Sequence, residues 1–344
     1  MGQAAGAVVG CVCNGGGGEK IGPAVEQVTS CPRNTCAAAE RVACFDVRDD
    51  QPLERAFSST NSHWRRERRS EVPLPNGAIY TGEFLGDVRD GEGLLVWPDG
   101  GRYTGQFVAN RAEGWGSFRH VDGDFYEGNW HNDMAHGEGM YTHADGACFT
   151  GQWVNDQQVG EGHECWPDGT QYRGQYQDGV KSGRGRFLWS SGARYEGEFV
   201  DDQIQGMGVY TWEDGRKYVG EWMGSKMHGC GVFTWADGRT YEGTYQEDQK
   251  NGFGVLTWPD GRQYVGMWRS GKQHGCGRYT SADGETKAGR WEHGVRVSWD
   301  ESASTIIDAI QRSAAAADGA AALMLTSSSS PSSAHPSEGQ TMDF

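Results

Sequence analysis

The chain has 344 residues, 54 of them glycine, with 14 Trp, 13 Tyr and 12 Phe and a formal net charge of −16. So many rings exclude a disordered Gly-rich polymer, which would be poor in aromatics. A hydrophobic share of only 36% argues against a thick two-layer core. The acidic balance repels phosphate backbones and sets nucleic acid aside as a partner.

In chain order, residues 1–70 carry no repeat and read as a mostly disordered leader. It opens "MGQAAGAVVGCVC". Met1-Gly2 followed by small residues resembles an N-myristoylation signal, with Gly6 where Ser or Thr is usual. Cys11 and Cys13 stand where palmitoylation commonly follows, so Gly2, Cys11 and Cys13 are the candidate lipidation sites. Arg65, Arg66, Arg68 and Arg69, beside Trp64, form a candidate basic patch for an anionic membrane surface. One acyl chain binds membranes marginally, and a second chain or a basic patch makes the binding stable. The plainer reading is a flexible leader, unmodified thiols and a solvated charge run. Nine cysteines without a Cys-x-x-Cys pair or a zinc spacing point to reduced thiols. With no secretory leader and no apolar run of spanning length, they point to a cytoplasmic protein.

Residues 71–299 repeat. Tyr80, Tyr103, Tyr126, Phe149, Tyr172, Tyr195, Tyr218, Tyr241 and Tyr264 fall 23 residues apart, and the next step lands on Lys287. Counting each of these as position 0, glycine recurs at position 2. Position 4 is aromatic: Phe84, Phe107, Trp130, Trp153, Tyr176, Phe199, Trp222, Tyr245, Trp268 and Trp291. Gly-x-Gly follows at positions 11 and 13. A constant period of this length marks a repeat architecture.

Positions 0, 2 and 4 share one face of a strand. A short loop leads to a second strand through Gly-x-Gly. "PDG" at 98–100 then suits a type I turn followed by a left-handed glycine. Each unit is therefore a β-hairpin. The fold expected is all-β: an elongated single-layer antiparallel ribbon of nine to ten hairpins, advancing about 10 Å per repeat. Glycines on the ring-bearing face leave space for the rings. Tyr103, Tyr126, Trp130, Trp153, Tyr172, Tyr195, Tyr218, Trp222, Tyr241, Tyr264 and Trp268 form the expected aromatic packing and binding face. The opposite face reads polar. Open sheet edges would let two copies pair as a homodimer.

"YTGQFVANRAEGWGSFRHVDG" and "YVGEWMGSKMHGCGVFTWADG" resemble MORN repeats, the membrane occupation and recognition nexus module. The resemblance covers about residues 76–294. The family's His before Gly-x-Gly stands at His136, His228 and His274; elsewhere the position holds Asp90, Glu113, Val159, Ser182, Gln205 or Asn251. That variation suggests packing or capping. At about 10 Å per repeat the three rings are too far apart to share a metal. The resemblance implies a non-enzymatic scaffold, with no catalytic residue, metal or cofactor, that docks a helix or peptide of a protein partner on its aromatic side. An alternative is an axonemal or cytoskeletal component of a cilium or flagellum, without lipid. A further alternative is a lipid-kinase link, because plant phosphatidylinositol phosphate kinases carry such repeats. The sequence holds no Val-Ala-Ile-Lys-like strand, His-Arg-Asp loop or Asp-Phe-Gly. Its Gly-x-Gly pairs lack the third glycine of a phosphate loop. The 45 residues from Asp300 to Phe344 are too few for a kinase or methyltransferase domain.

Residues 300–325 are Ala-rich and predict a capping helix, with Ser302 or Ser304 as N-cap. Ile306, Ile307 and Ile310 would form its stripe, covering the last open edge or lying in the aromatic groove. Residues 326–344 are disordered by composition.

Overall fold

The computed structural model describes residues 65–313. Gly2, Cys11, Cys13 and the tail beyond 313 lie outside the described residues. Among the described residues the fold is all-β, with 21 antiparallel strands and one short helix. The chain divides between Gln249 and Lys250 into two compact units.

The first unit holds β1 (Glu67–Pro73), β2 (Ile79–Leu85), β3 (Val88–Val96), β4 (Arg102–Val108), β5 (Arg111–Arg119), β6 (Phe125–His131), β7 (Met134–Thr142) and β8 (Cys148–Val154). It continues with β9 (Gln157–Cys165), β10 (Gln171–Gln177), β11 (Val180–Leu188), β12 (Arg194–Val200), β13 (Gln203–Thr211), β14 (Lys217–Met223), β15 (Lys226–Thr234) and β16 (Thr240–Gln246). Strand follows strand, each antiparallel to the next, as in β4–β5 and β5–β6.

Turn chemistry makes the hairpins. The two residues between paired strands are left-handed, as at Asn132 and Asp133 (φ 52° and 66°) or Asp201 and Asp202 (φ 48° and 63°). Two successive positive φ values define the type I′ turn, whose twist matches that of the strands, and Asn and Asp tolerate it. Between repeats, the Gly100 N–H donates to Trp97 O and the Trp97 N–H to Gly101 O, with Gly100 at φ 100°. This is the type I turn and left-handed glycine expected of "PDG".

The position-11 glycine has a role beyond making room. On β4, Gly105 and Phe107 are two residues apart. Their partners on β5, Gly116 and Ala112, are four apart, so β5 carries two extra residues. Gly114 sits in this bulge at φ 69°, a backbone state that glycine adopts without strain. The bulged N–H at position 12 is met by the position-3 side chain: Trp115 N–H donates to Gln106 Oε1, Arg184 N–H to Gln175 Oε1 and Cys230 N–H to Glu221 Oε1.

An ordered strand already begins at Glu67, inside the segment read as leader. β1 pairs with β2, with Glu71 at φ 54° in a local irregularity.

The second unit holds β17 (Gln249–Thr257), β18 (Gln263–Arg269), β19 (Lys272–Thr280), β20 (Thr286–Glu292), β21 (Val295–Trp299) and helix α1 over 302–313. Lys287 is accommodated on β20 opposite Tyr279. The cap of α1 is Asp300, whose Oδ1 accepts the Ser302 N–H, not Ser302 or Ser304. Its buried stripe is Ala303 and Ile307, while Ile306 is 44% exposed. Instead of taking the edge or the aromatic groove, α1 covers the face opposite the rings. Arg278, pointing to that face from β19, donates to Asp308 and Gln311. Val265 and Ala288 on the same face are buried.

Candidate functional site

The aromatic columns are built by strand alternation and then closed by contacts between repeats. Tyr80, Tyr103, Tyr126, Tyr172, Tyr195, Tyr218, Tyr241 and Tyr264 are all fully buried. Each hydroxyl lies across the sheet and donates to the carbonyl three residues on, from Glu83 to Met267, at 2.9–3.2 Å. The glycines beneath are obligatory: a Cβ on Gly116 would stand 2.3 Å from the Tyr103 hydroxyl oxygen. Burial raises the hydroxyl of Tyr80 to about 12 and those of Tyr103, Tyr126, Tyr172, Tyr195, Tyr218 and Tyr264 further.

Within each unit a Tyr meets the position-4 ring of its own repeat and of the next, edge to face, and Tyr241 meets Tyr245 of its own repeat. Tyr103 lies 5.1 Å from Phe107 and 5.1 Å from Trp130; Tyr126 lies 5.1 Å from Trp130 and 5.4 Å from Trp153. Tyr264 makes the same contacts with Trp268 and Trp291. Trp130, Trp153, Trp222 and Trp268 are at most 5% exposed and donate from Nε1 to glycine carbonyls at 3.1–3.4 Å. The rings form the core of the repeat array, and such edge-to-face pairs add to what their burial contributes. They present no open stacking face.

The loops are clamped repeat to repeat. The position-7 side chain accepts the N–H of position 9 in the preceding repeat: Asp133 from Ala112, Asp156 from Ala135, Asp248 from Met227, Asn110 from Arg89. Burial raises the carboxyls of Asp133 and Asp248, and that of Asp156 to about 6.

One stretch departs from the pattern. Phe149 replaces the position-0 Tyr, His120 and His143 replace position-17 Trp, and Glu164 takes position 15, where Tyr141 and Phe187 stand in the neighbouring repeats. Glu164 is buried with Lys181, Nζ to Oε2 at 2.7 Å, and accepts from the Tyr176 hydroxyl at 2.9 Å. The ammonium lies 5.1–5.6 Å from the ring centroids of Trp166, Tyr172 and Tyr176. Nearby, the Tyr141 hydroxyl donates to Asp124 at 2.6 Å. Cys148 and Cys165, directly opposite on β8 and β9, form a disulfide with a Cα–Cα distance of 5.2 Å. The expectation of reduced thiols missed this pair. Counting the register across the hairpin would have found it, because position −1 faces position 16. The Glu164–Lys181 pair was visible only as one departure, Glu164 in an otherwise apolar column, because the column of Lys181 also holds Arg89, Gln158 and Lys250.

The basic patch is partly neutralised. Arg66 pairs with Asp90 at 2.7 Å, and Arg69 with Glu67 and with Asp87 while lying over Phe84. Arg65 and Arg68 are exposed. Among the described residues, no group of three or more His, Cys, Asp and Glu is placed to hold a metal. Among them too, no helix is long and apolar enough to cross a membrane.

No curated protein matches the chain. Among solved structures, it is similar to the G-box domain of the microcephaly protein CPAP at 14% identity, over 59% of this chain and 100% of that one, with a TM-score of 0.34. It is also similar to the TCP10 domain of Danio rerio CPAP, solved with a STIL peptide (13% identity, 69% and 99% covered, TM-score 0.23). A third is the Drosophila melanogaster SAS-4 TCP domain, solved with a proline-rich motif of Ana2 (11% identity, 62% and 97% covered, TM-score 0.27). Scores this low carry no argument. The MORN repeat pattern, in contrast, matches nine consecutive segments: 80–102, 103–125, 126–148, 149–171, 172–194, 195–215, 218–238, 241–261 and 264–286. The chain belongs to the MORN-repeat family.

Proposed function

We propose that the chain is a non-enzymatic scaffold whose repeats dock protein partners, held at a membrane by an acylated N-terminus. The observation that carries this reading is the register: nine copies place the same packing residues at one spacing. Each copy adds length and contact surface, whereas catalysis needs one set of reactive groups. The buried charges of the irregular stretch, Glu164 and Lys181, neutralise each other.

The partner, a helix or peptide, docks on the aromatic side. Since the position-0 and position-4 rings are core, the contacts fall to the half-exposed margin of that side, at Trp97, Trp166 and Trp235 in the first unit. Gly2, Cys11 and Cys13 carry the lipid, and Arg65 and Arg68 supply exposed positive charge for an anionic surface. Pairing of two copies through open sheet edges would make the scaffold a homodimer.

A second reading is an axonemal or cytoskeletal component without lipid. It is favoured by the pairing of Arg66 and Arg69 with carboxylates, which leaves less charge for a membrane. Intact mass of the protein from its own cells, with fractionation of wild type and Gly2→Ala, separates the two. A myristoyl mass and a shift from membrane to soluble fraction in the variant support the anchor. An unmodified N-terminus in a cytoskeletal fraction overturns it. Phosphoryl transfer to phosphoinositides by a clean preparation would overturn the non-enzymatic reading.

A further inference from the structure

The face opposite the rings changes character between β10 and β15. One row crosses six strands through registered neighbours: Arg173 opposite Arg186, Arg186 opposite Glu196, Glu196 opposite Val209, Val209 opposite Val219, and Val219 opposite Val232. At one end two arginines face each other, with His163 beyond them and Arg184 on the same face. Like charges directly opposite destabilise a sheet. Glu196 and Glu198 on β12 face Arg186 and Arg184 on β11, without closing into ion pairs. At the other end Val219, Val232 and Met207 are 38%, 37% and 54% exposed, a continuous apolar strip on a face expected to be polar.

The chain itself uses this combination in the second unit. Val265, Arg278 and Ala288 occupy positions 1, 14 and 1 of their repeats, the positions that build the row from Arg173 to Val232. There the apolar pair is buried under α1, and Arg278 holds the helix by Asp308 and Gln311. An amphipathic helix with apolar residues four apart and a carboxylate turned to the arginine is thus a ligand that these positions accept.

We propose that the row from Arg173 to Val232 is a docking surface for a helix of the same chemistry supplied by a partner protein. The apolar stripe of that helix lies over the valines, and carboxylates at one end meet Arg173 and Arg186. Five strand steps span about 24 Å, the length of about 16 helical residues. In a chain of net charge −16 an acidic ligand is repelled in general, so its capture depends on this local cluster. The surface is distinct from the tryptophan margin of the aromatic side, and it rests on the scaffold reading.

The test is fluorescence anisotropy of the full chain with a designed helical peptide of about 18 residues, bearing Ala and Ile four apart and Glu at one end. A twin carries Lys in place of Glu. The acidic peptide is expected to bind saturably, and its Kd to rise about tenfold or more on Arg173→Glu with Arg186→Glu, and again on Val219→Asp. The lysine twin is expected not to bind, and Arg278→Glu to leave binding intact. All the altered side chains of the row are exposed, so unchanged melting curves confirm folded variants. Absence of saturable binding, equal binding of both peptides, or loss through Arg278→Glu alone overturns the proposal. So does binding of phosphatidylserine vesicles, lost with the two arginines, in place of the peptide. The aromatic-side reading stands or falls separately, on partner capture by Trp166→Ser and Trp235→Ser variants.

Discussion

At the residue scale the tyrosine–glycine pairing explains most of the composition. Each Tyr needs two glycines beneath its ring and a backbone carbonyl for its hydroxyl, and the next repeat supplies the second ring that seals it. Trp222 shows what one such contact contributes. It is 3% exposed and lies edge-on to Tyr218 at 5.1 Å and Tyr195 at 5.7 Å. Trp222→Ala is expected to destabilise by about 3–5 kcal/mol. Trp222→Phe should cost less, because Phe84, Phe107 and Phe199 fill the same position. Chemical denaturation of both variants checks this, and an unaltered midpoint for the alanine variant would show that the ring is not core. The sidedness of these rings was legible from period two. Their complete burial was not, since the layer that covers a ring such as Tyr103 or Tyr126 is contributed by a residue 27 positions later.

At the element scale the hairpins are joined by the loop clamp as well as by ladder bonds. Asp156 illustrates its cost. Its Oδ1 accepts the Ala135 N–H at 2.7 Å, while burial lifts its carboxyl from the ordinary 3.8 to about 6. The folded state therefore holds this proton more tightly than the unfolded chain. The stabilising contribution of the protonated form is complete below about pH 4 and is lost as pH rises through about 6. Asn110 makes the same bond from the same repeat position without a charge. Asp156→Asn is accordingly expected to keep the clamp, to raise stability at pH 7 by about 1–3 kcal/mol and to flatten the profile between pH 4 and 6. Urea unfolding at pH 4.5 and pH 7 decides it; parallel profiles for variant and wild type would refute the assignment. Helix α1 belongs to this scale too. Its existence was legible in the Ala-rich composition, but its docking face was not. The apolar stripe is compatible with several surfaces, and only the arginine on β19 selects one.

At the scale of the whole molecule, stability is a sum of similar units and of the interfaces between them. Removing residues 195–217, one full period, should leave a cooperatively unfolding protein with a lower midpoint, because 172–194 then meets 218–240 at equivalent positions. Removing only 195–206 should disrupt the fold, since a strand would be lost and the ring columns would no longer align. Far-UV circular dichroism and thermal melts distinguish the two. Equal damage from both deletions would contradict a nearest-neighbour array. The sequence by itself determined the period, the hairpin unit, the turn between repeats and the face that carries the rings, because strand alternation and turn preference are local and nine copies repeat the signal. Only the tertiary structure decided where α1 lies, that Glu164 and Lys181 neutralise each other, and that the opposite face carries an arginine and valine row. These depend on which residues the register brings together across strands, and side chains that deviate from a repeat acquire meaning only from their neighbours in space.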